Sequence, residues 1–401
     1  MNLKDKTISW RLLLLFVILA GISSCKKSGG PANNTPVNPP VVDNTPFQPG
    51  ATLVVSKTTA MGNPRTALSA DTVFTDSNRG ISKFKALPSG FDNAIVSFYL
   101  PKGFMVVFAE NNDGTGESVC YVAAKASITA SLPDALKNRV SFIRYIPLAN
   151  TAKKGFAATD SNAVKLFNTS WYYGWSIDRP SFGTQQFVPM TWGKGTATVD
   201  YMASLVNRKD VDHLLSFNEP DNVDQSNIPI IDTAIARYKV MMQSGLRLGS
   251  PAVTQDQAFG ANKWLTRFMD AAKLQKVRVD FVALHWYDWG NQTNNQATDS
   301  LTAQAVFNRF KTYVERVHTD YPNQKIWITE YNANRNRSSE MVHKYFMKLS
   351  TDWMNTVPYV ERYAYFFPPV LPAVDTNGAM TDAGSYWNSL ISTEAFAANI
   401  E

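Results

Sequence analysis

The stretch Leu214-Leu215-Ser216-Phe217-Asn218-Glu219-Pro220-Asp221-Asn222 reads as an apolar strand that stops on an amide, a carboxylate and a proline. A strand cannot run on through these residues, because proline lacks the ladder N–H and Asn and Asp favour turns. The stretch predicts a short buried strand that carries a carboxylate into a loop at its C-terminal end. A second stretch of the same build, Lys325-Ile326-Trp327-Ile328-Thr329-Glu330-Tyr331, lies more than a hundred residues downstream.

Around these two stretches, short apolar runs alternate with longer amphipathic ones. Eight candidate strands follow one another: Gly155 to Ala158, Ser170 to Trp175, Gln186 to Met190, His213 to Phe217, Arg247 to Pro251, Phe281 to His285, Lys325 to Thr329 and Tyr363 to Phe367. Between the later ones, Ile231 to Leu246, Asn262 to Leu274, Thr302 to Tyr321 and Ser339 to Met354 repeat apolar residues at helical spacing. Eight strands with intervening helices over residues 149–401 predict an α/β architecture, a (β/α)8 TIM barrel. A doubly wound open sheet would use fewer strands and usually carries a Gly-rich phosphate loop, which is absent.

In such a barrel the C-terminal strand ends meet in one mouth. Glu219 after the fourth strand and Glu330 after the seventh therefore converge there, and His285-Trp286-Tyr287 ends the sixth strand in the same place. Two carboxylates facing each other, one protonated and one ionised, are the minimum apparatus for breaking a glycosidic bond, and a spacing of about 5 to 5.5 Å goes with retention of configuration. Other chemistries lack their residues. The four histidines, His213, His285, His318 and His343, show no paired zinc-ligand spacing, and no Gly-x-Ser-x-Gly elbow occurs.

Five segments at strand ends carry a family likeness: Phe187-Val188-Pro189-Met190-Thr191-Trp192-Gly193, Phe217-Asn218-Glu219-Pro220-Asp221, Leu284-His285-Trp286-Tyr287, Ile328-Thr329-Glu330-Tyr331 and Val360-Glu361-Arg362-Tyr363-Ala364-Tyr365-Phe366. Together, over roughly Lys153 to Ser392, they resemble glycoside hydrolase family 128, endo-β-1,3-glucanases of the retaining (β/α)8 clan. The resemblance implies Glu219 as general acid/base and Glu330 as nucleophile. It further implies that Asn218 bonds a sugar 2-hydroxyl, that Tyr287 holds Glu330, and that His285 lines the same subsite. Trp171, Trp175, Trp192, Trp286 and Tyr331 are the aromatics read as stacking platforms for pyranose rings. The linkage cut would depend on loops such as Gly290 to Asp299, leaving xylan, mannan and mixed-linkage glucan as other β-glycan substrates. A glycan-binding lipoprotein without catalysis is the reading from another class; the presence of both glutamates argues against it.

Upstream, residues 51–148 show short alternating runs broken by Gly, Asn, Asp and Pro, and predict an all-β domain. It contains a two-fold repeat. Phe74, Gly80, Ser82 and Asp92-Asn93-Ala94-Ile95-Val96-Ser97 match Phe108, Gly114, Gly116, Ser118 and Lys137-Asn138-Arg139-Val140-Ser141-Phe142. The repeat resembles two Greek keys of a βγ-crystallin-like domain, which implies possible weak calcium ligands at Asp92, Asn93, Asn138 and Ser141. Val96 stands where a hydroxyl belongs and Lys137 where an acid or amide belongs, so both sites look weakened. No metal is expected in the barrel, nor any other cofactor.

Lys4, Lys6 and Arg11 precede an apolar run from Leu12 to Ile22 that is too short to span a bilayer. Residues 1–24 read as a lipoprotein signal peptide, with Cys25 as the lipidated first residue of the mature chain. Residues 25–50, rich in Pro, Asn, Gly and Thr, form a tether. The chain is thus expected in the cell envelope, bound to the membrane by its lipid and exposed to periplasm or cell surface, as a monomer. Cys120, the other of two cysteines, is left without a partner and reads as a core residue. The excess of 39 basic over 33 acidic residues is small and not interleaved with aromatics, which excludes a nucleic-acid partner.

Overall fold

The computed structural model describes residues 45–77, 83–149, 151–289 and 300–401. The signal segment 1–24, Cys25 with the tether to residue 44, Gly80 and Ser82 of the first repeat, and the loop 290–299 lie outside the described residues. Those described fall within one compact unit, Asp43–Glu401, of mixed α/β fold.

Nine strands come first: β1 (Leu53–Ser56), β2 (Arg65–Leu68), β3 (Thr72–Thr75), β4 (Phe84–Lys85), β5 (Ser97–Leu100), β6 (Phe104–Ala109), β7 (Ser118–Ala123), β8 (Ile128–Ser131) and β9 (Phe142–Pro147). They form two sheets, ordered β2-β1-β5-β8 and β4-β3-β9-β6-β7. Side chains such as Val55, Phe98, Phe108, Tyr121 and Ile143 fill a common core. The repeat seen in the sequence becomes a matched pair of turns. Asn93 and Asn138 both adopt positive φ, 51° and 58°; Asn93 N–H donates to Val140 O (3.0 Å) and Asn138 N–H to Ile95 O (2.9 Å). Asp92, the one carboxylate at the pair, already accepts from Ser141 Oγ (2.7 Å) and from Asn93 Nδ2 (3.1 Å). Among the described residues no group of three or more His, Cys, Asp or Glu is placed to hold a metal ion. Calcium asks for six to eight oxygens, several of them carboxylates, so these residues fit it poorly.

The second set contains all eight strands read from the sequence: β10 (Lys154–Ala157), β11 (Trp171–Tyr173), β12 (Gln186–Phe187), β13 (His213–Leu214), β14 (Arg247–Leu248), β15 (Phe281–Trp286), β16 (Lys325–Tyr331) and β17 (Val360–Tyr365). Every pairing among them is parallel. Ladders run β12-β11-β10-β17-β16-β15 and β13-β14, and single parallel bridges, Met190 to Leu215 and Gly249 to Phe281, link the two groups at both ends. The helices are α1 (Ser161–Leu166), α2 (Val199–Asn207), α3 (Ile231–Met242), α4 (Trp264–Leu274), α5 (Ser300–Asp320), α6 (Glu340–Thr356) and α7 (Asp382–Ser389). In α6, Ser339 caps the first turn by accepting from Val342 N–H, and the buried residues recur at helical spacing from Val342 through Phe346 and Ser350 to Met354.

Alternation along the strands sorts two cores. Tyr172, Ile326 and Ile328 pack with helix residues such as Phe310 and Phe346. Trp171, Tyr173, Phe281, Trp327 and Ala364 form a separate cluster on the opposite strand faces. Gly155 makes room for Trp171: a Cβ there would lie 2.2 Å from the indole. Near the starts of the strands a charged network is sealed in. Arg247 donates to both oxygens of Glu361 (2.6 and 3.1 Å), and Trp327 Nε1 donates to the same carboxylate (3.0 Å).

Buried Arg144 of β9 donates to the carbonyls of Ser244 and Leu205, tying the two parts together. Burial pulls its guanidinium down to about 10. Gly245, at φ 61°, passes so close that a Cβ would meet Arg144 at 2.8 Å. At the edge of the same sheet, Val122 of β7 bridges Ile400 in antiparallel fashion. Cys120 is a free, buried core thiol, which burial pushes up to about 12.

Candidate active site

Glu219, Tyr287 and Glu330 arrive from three strand ends and line one cavity of about 750 Å³, walled also by Trp175, Trp192, Trp289 and Phe366, while His285 stands buried behind the two acids. Glu219 follows β13 on a backbone at φ 39°, and its N–H donates to Ala252 O (2.7 Å). A non-glycine residue at positive φ costs free energy, and such strain collects at functional sites. It turns the carboxylate back over the strand end toward His285.

The fully buried imidazole of His285 lies between the two acids. Its Nδ1 is 3.1 Å from Glu219 Oε1 and its Nε2 3.5 Å from Glu330 Oε1. Burial alone would depress His285, but the charges of Glu330 and Glu219 outweigh it and hold the imidazole above its ordinary value. Burial likewise works to raise Glu219, yet the bonds from His285 and Asn222 win and its carboxyl sits below the ordinary range.

Glu330 ends β16 and is held by donors on both oxygens. Oε1 accepts from Trp175 Nε1 (2.8 Å) and Tyr173 Oη (3.1 Å); Oε2 accepts from Tyr287 Oη. Burial, with the Glu330 charge beside them, pushes both phenols well above the ordinary tyrosine value, so they remain donors. Asn218 sits in the cavity wall. Its Nδ2 donates to Gln225 Oε1 (3.0 Å), and its buried Oδ1 has no hydrogen-bond partner among the described residues. Among the residues read from the sequence, Asn218, Glu219, His285, Tyr287, Glu330, Trp175 and Trp192 are thus brought together.

Four residues read as lining the sugar site are not in the cavity wall: His285, fully buried behind the two glutamates, and three aromatics. Trp286 is buried against Phe310 and Phe346, because it alternates with inward-facing His285. Tyr331, next to Glu330, likewise turns to the helix layer and packs on Phe310 and Tyr365. Trp171 shares the face of Tyr173 and Trp175 but lies deeper, against Trp327, with Nε1 bonded to Lys153 O (2.9 Å). None of the three has exposed surface for a sugar, all being 3% exposed or less. Several participants lie outside that reading, Asn222, Gln225 and Phe366 among them. Tyr173 was signalled by its two-residue spacing from Trp175, whereas Trp289 stands in a loop beyond any strand pattern.

A mixed α/β fold whose strand ends bring two glutamates into an aromatic cavity defines a glycoside hydrolase. A family profile described as "Glycosyl hydrolase catalytic core" matches residues 151–392, more than half of the chain. The chain belongs to that family. Among solved structures it is similar to a mutant GH128 (subgroup I) endo-β-1,3-glucanase from Amycolatopsis mediterranei in complex with laminarihexaose, at 28% identity and a TM-score of 0.50, over 59% of this chain and 99% of that one. A second mutant of that enzyme, with laminaritriose and laminaribiose, matches at 27% identity and 0.50 over 60% and 99%. A GH128 (subgroup II) endo-β-1,3-glucanase from Sorangium cellulosum matches at 22% and 0.47, over 59% and 98%. Among curated proteins none matches the chain significantly.

Proposed function

We propose that the protein cleaves internal bonds of β-1,3-glucan by double displacement, with Glu330 as nucleophile and Glu219 as general acid/base. The observation that carries this is the pair of glutamates linked through His285 in a tryptophan-walled cavity. The similarity to enzymes named as β-1,3-glucanases points to the linkage.

In the first step a Glu330 oxygen attacks the anomeric carbon while the glycosidic C–O bond breaks and the leaving oxygen takes a proton from Glu219. In the second, water attacks the same carbon, gives a proton to Glu219, and the bond to Glu330 breaks to regenerate the carboxylate. His285 Nδ1, 3.1 Å from Glu219 Oε1, is placed to exchange a proton with that carboxylate. Binding a neutral sugar excludes water, which favours passing that proton to the carboxylate. Asn218, in the cavity wall, is read as bonding a sugar hydroxyl, and Trp192 and Trp289, 36% and 42% exposed, are platforms for ring faces.

The parallel circuit β10 to β17, joined at Met190–Leu215 and Gly249–Phe281, supports a (β/α)8 barrel over 149–401. The exchange of third strands, β8 lying beside β5 and β3 beside β9, supports paired Greek keys of crystallin type over 51–148. We assign that module a spacing role, since its turns fit calcium poorly. Lipidation at Cys25 and a place in the cell envelope rest on the leader alone.

The test is reducing-sugar release by the form starting at Ala51 from linear β-1,3-glucan, xylan, mannan and mixed-linkage glucan, beside its Glu330→Gln variant. Cleavage of β-1,3-glucan that the variant abolishes is expected. A protein retained on a glucan gel that cuts nothing overturns the catalytic reading.

A further inference from the structure

Tyr173 holds one phenolic proton between two acceptors at equal distance, Glu330 Oε1 and the Thr329 carbonyl, each 3.1 Å away. The phenol is fully buried, so its proton has no recourse to water. Its ring is fixed, stacked at 18° to Trp171 and packed on Trp175 with centroids 5.1 Å apart. The Thr329 carbonyl is set out of the regular ladder. In the pairing of β16 with β15 the register jumps from Leu284–Ile328 to His285–Glu330, and in the pairing with β17 from Ile328–Tyr363 to Tyr331–Tyr365, so Thr329 is skipped on both sides. A bulge of this kind re-aims groups next to an active site. Here it puts a second acceptor within reach of the phenol.

We propose that Tyr173 is a positioning residue whose single proton alternates between the Glu330 carboxylate and the Thr329 carbonyl as charge leaves and returns to Glu330. This rests on the reading of Glu330 as nucleophile. While Glu330 is an anion, the charge-assisted bond to its oxygen is the stronger one. Once Glu330 is a neutral glycosyl ester, the hydroxyl rotates about its C–O bond to the backbone carbonyl, and no buried polar group is left unpaired. Among the described residues Trp175 Nε1 has no second acceptor, so it cannot switch. A donor that prefers the anion stabilises the carboxylate as leaving group, so Tyr173 speeds breakdown of the intermediate and gives nothing to its formation.

The test is Tyr173→Phe assayed on an aryl β-laminaribioside with a good leaving group. Expected are kcat and KM both falling about tenfold, kcat/KM within about threefold of the parent, and a glycosyl-enzyme adduct visible by mass spectrometry at steady state. Loss of kcat at unchanged KM, or loss of kcat/KM at unchanged kcat, overturns the switch. Trp175→Phe provides the contrast and lowers kcat and kcat/KM together. If Glu330→Gln remains active the nucleophile assignment itself fails, whereas a dead Glu330→Gln beside an unshifted Tyr173→Phe removes the switch alone.

Discussion

His285 Nδ1 lies 3.1 Å from Glu219 Oε1, and with its other nitrogen facing Glu330 the imidazole joins the two acids of the site. Folding raises the proton affinity of His285, so its contribution to stability is complete below its ordinary value of 6.5 and fades as pH rises through the folded value. Folding lowers that of Glu219, whose contribution is complete above 4.5 and fades as pH falls through its folded value. The pair is fully stabilising between those two values. NMR titration of the ring should give a midpoint above 6.5 that drops in Glu219→Gln; a midpoint at or below 6.5 in the parent would contradict the arrangement.

Glu219→Ala removes the acid but keeps the nucleophile. Glycans with poor leaving groups should lose activity by about two to four orders of magnitude. An aryl glycoside that needs no acid should still form the intermediate, and azide should restore turnover as a β-glycosyl azide. An α-azide product would place the chemistry elsewhere.

The tryptophans should divide by burial. Trp192→Ala and Trp289→Ala should raise KM for long glucans at unchanged melting temperature. Trp171→Ala should cost about 3–5 kcal/mol of stability, as for a large aromatic removed from a core. Calorimetry beside Michaelis kinetics separates them, and a Trp171 variant that melts normally but binds poorly would place this indole at the sugar.

That division also shows how far the sequence reaches. Glu219, Glu330, His285 and Tyr287 were legible because each stands at a strand end, where α/β topology leaves few places to point. Trp286 and Tyr331 stand at strand ends too, but the two-residue period turns the neighbour of an inward side chain outward. The positive φ of Glu219 and the skipped Thr329 carry no mark in composition, since both arise when strands are fitted to partners distant in the chain. Trp289 sits in a loop, beyond any periodic signal.

At the opposite strand ends, Glu361→Gln should leave Arg247 charged, buried and short of its bidentate partner. Breaking such a pair costs about 3–5 kcal/mol. Chemical denaturation should show that loss while the remaining folded fraction keeps its KM; a change in KM without loss of stability would mean that the network serves the cavity.

The central claim meets its most direct test in trapping the intermediate. The protein is incubated with a fluorinated β-laminaribiosyl trap, digested, and its peptides are mapped by mass spectrometry. A single adduct on the peptide carrying Glu330, absent in Glu330→Gln, is the predicted result. An adduct on another side chain, or an unlabelled enzyme whose first-formed sugar has inverted configuration, would contradict it.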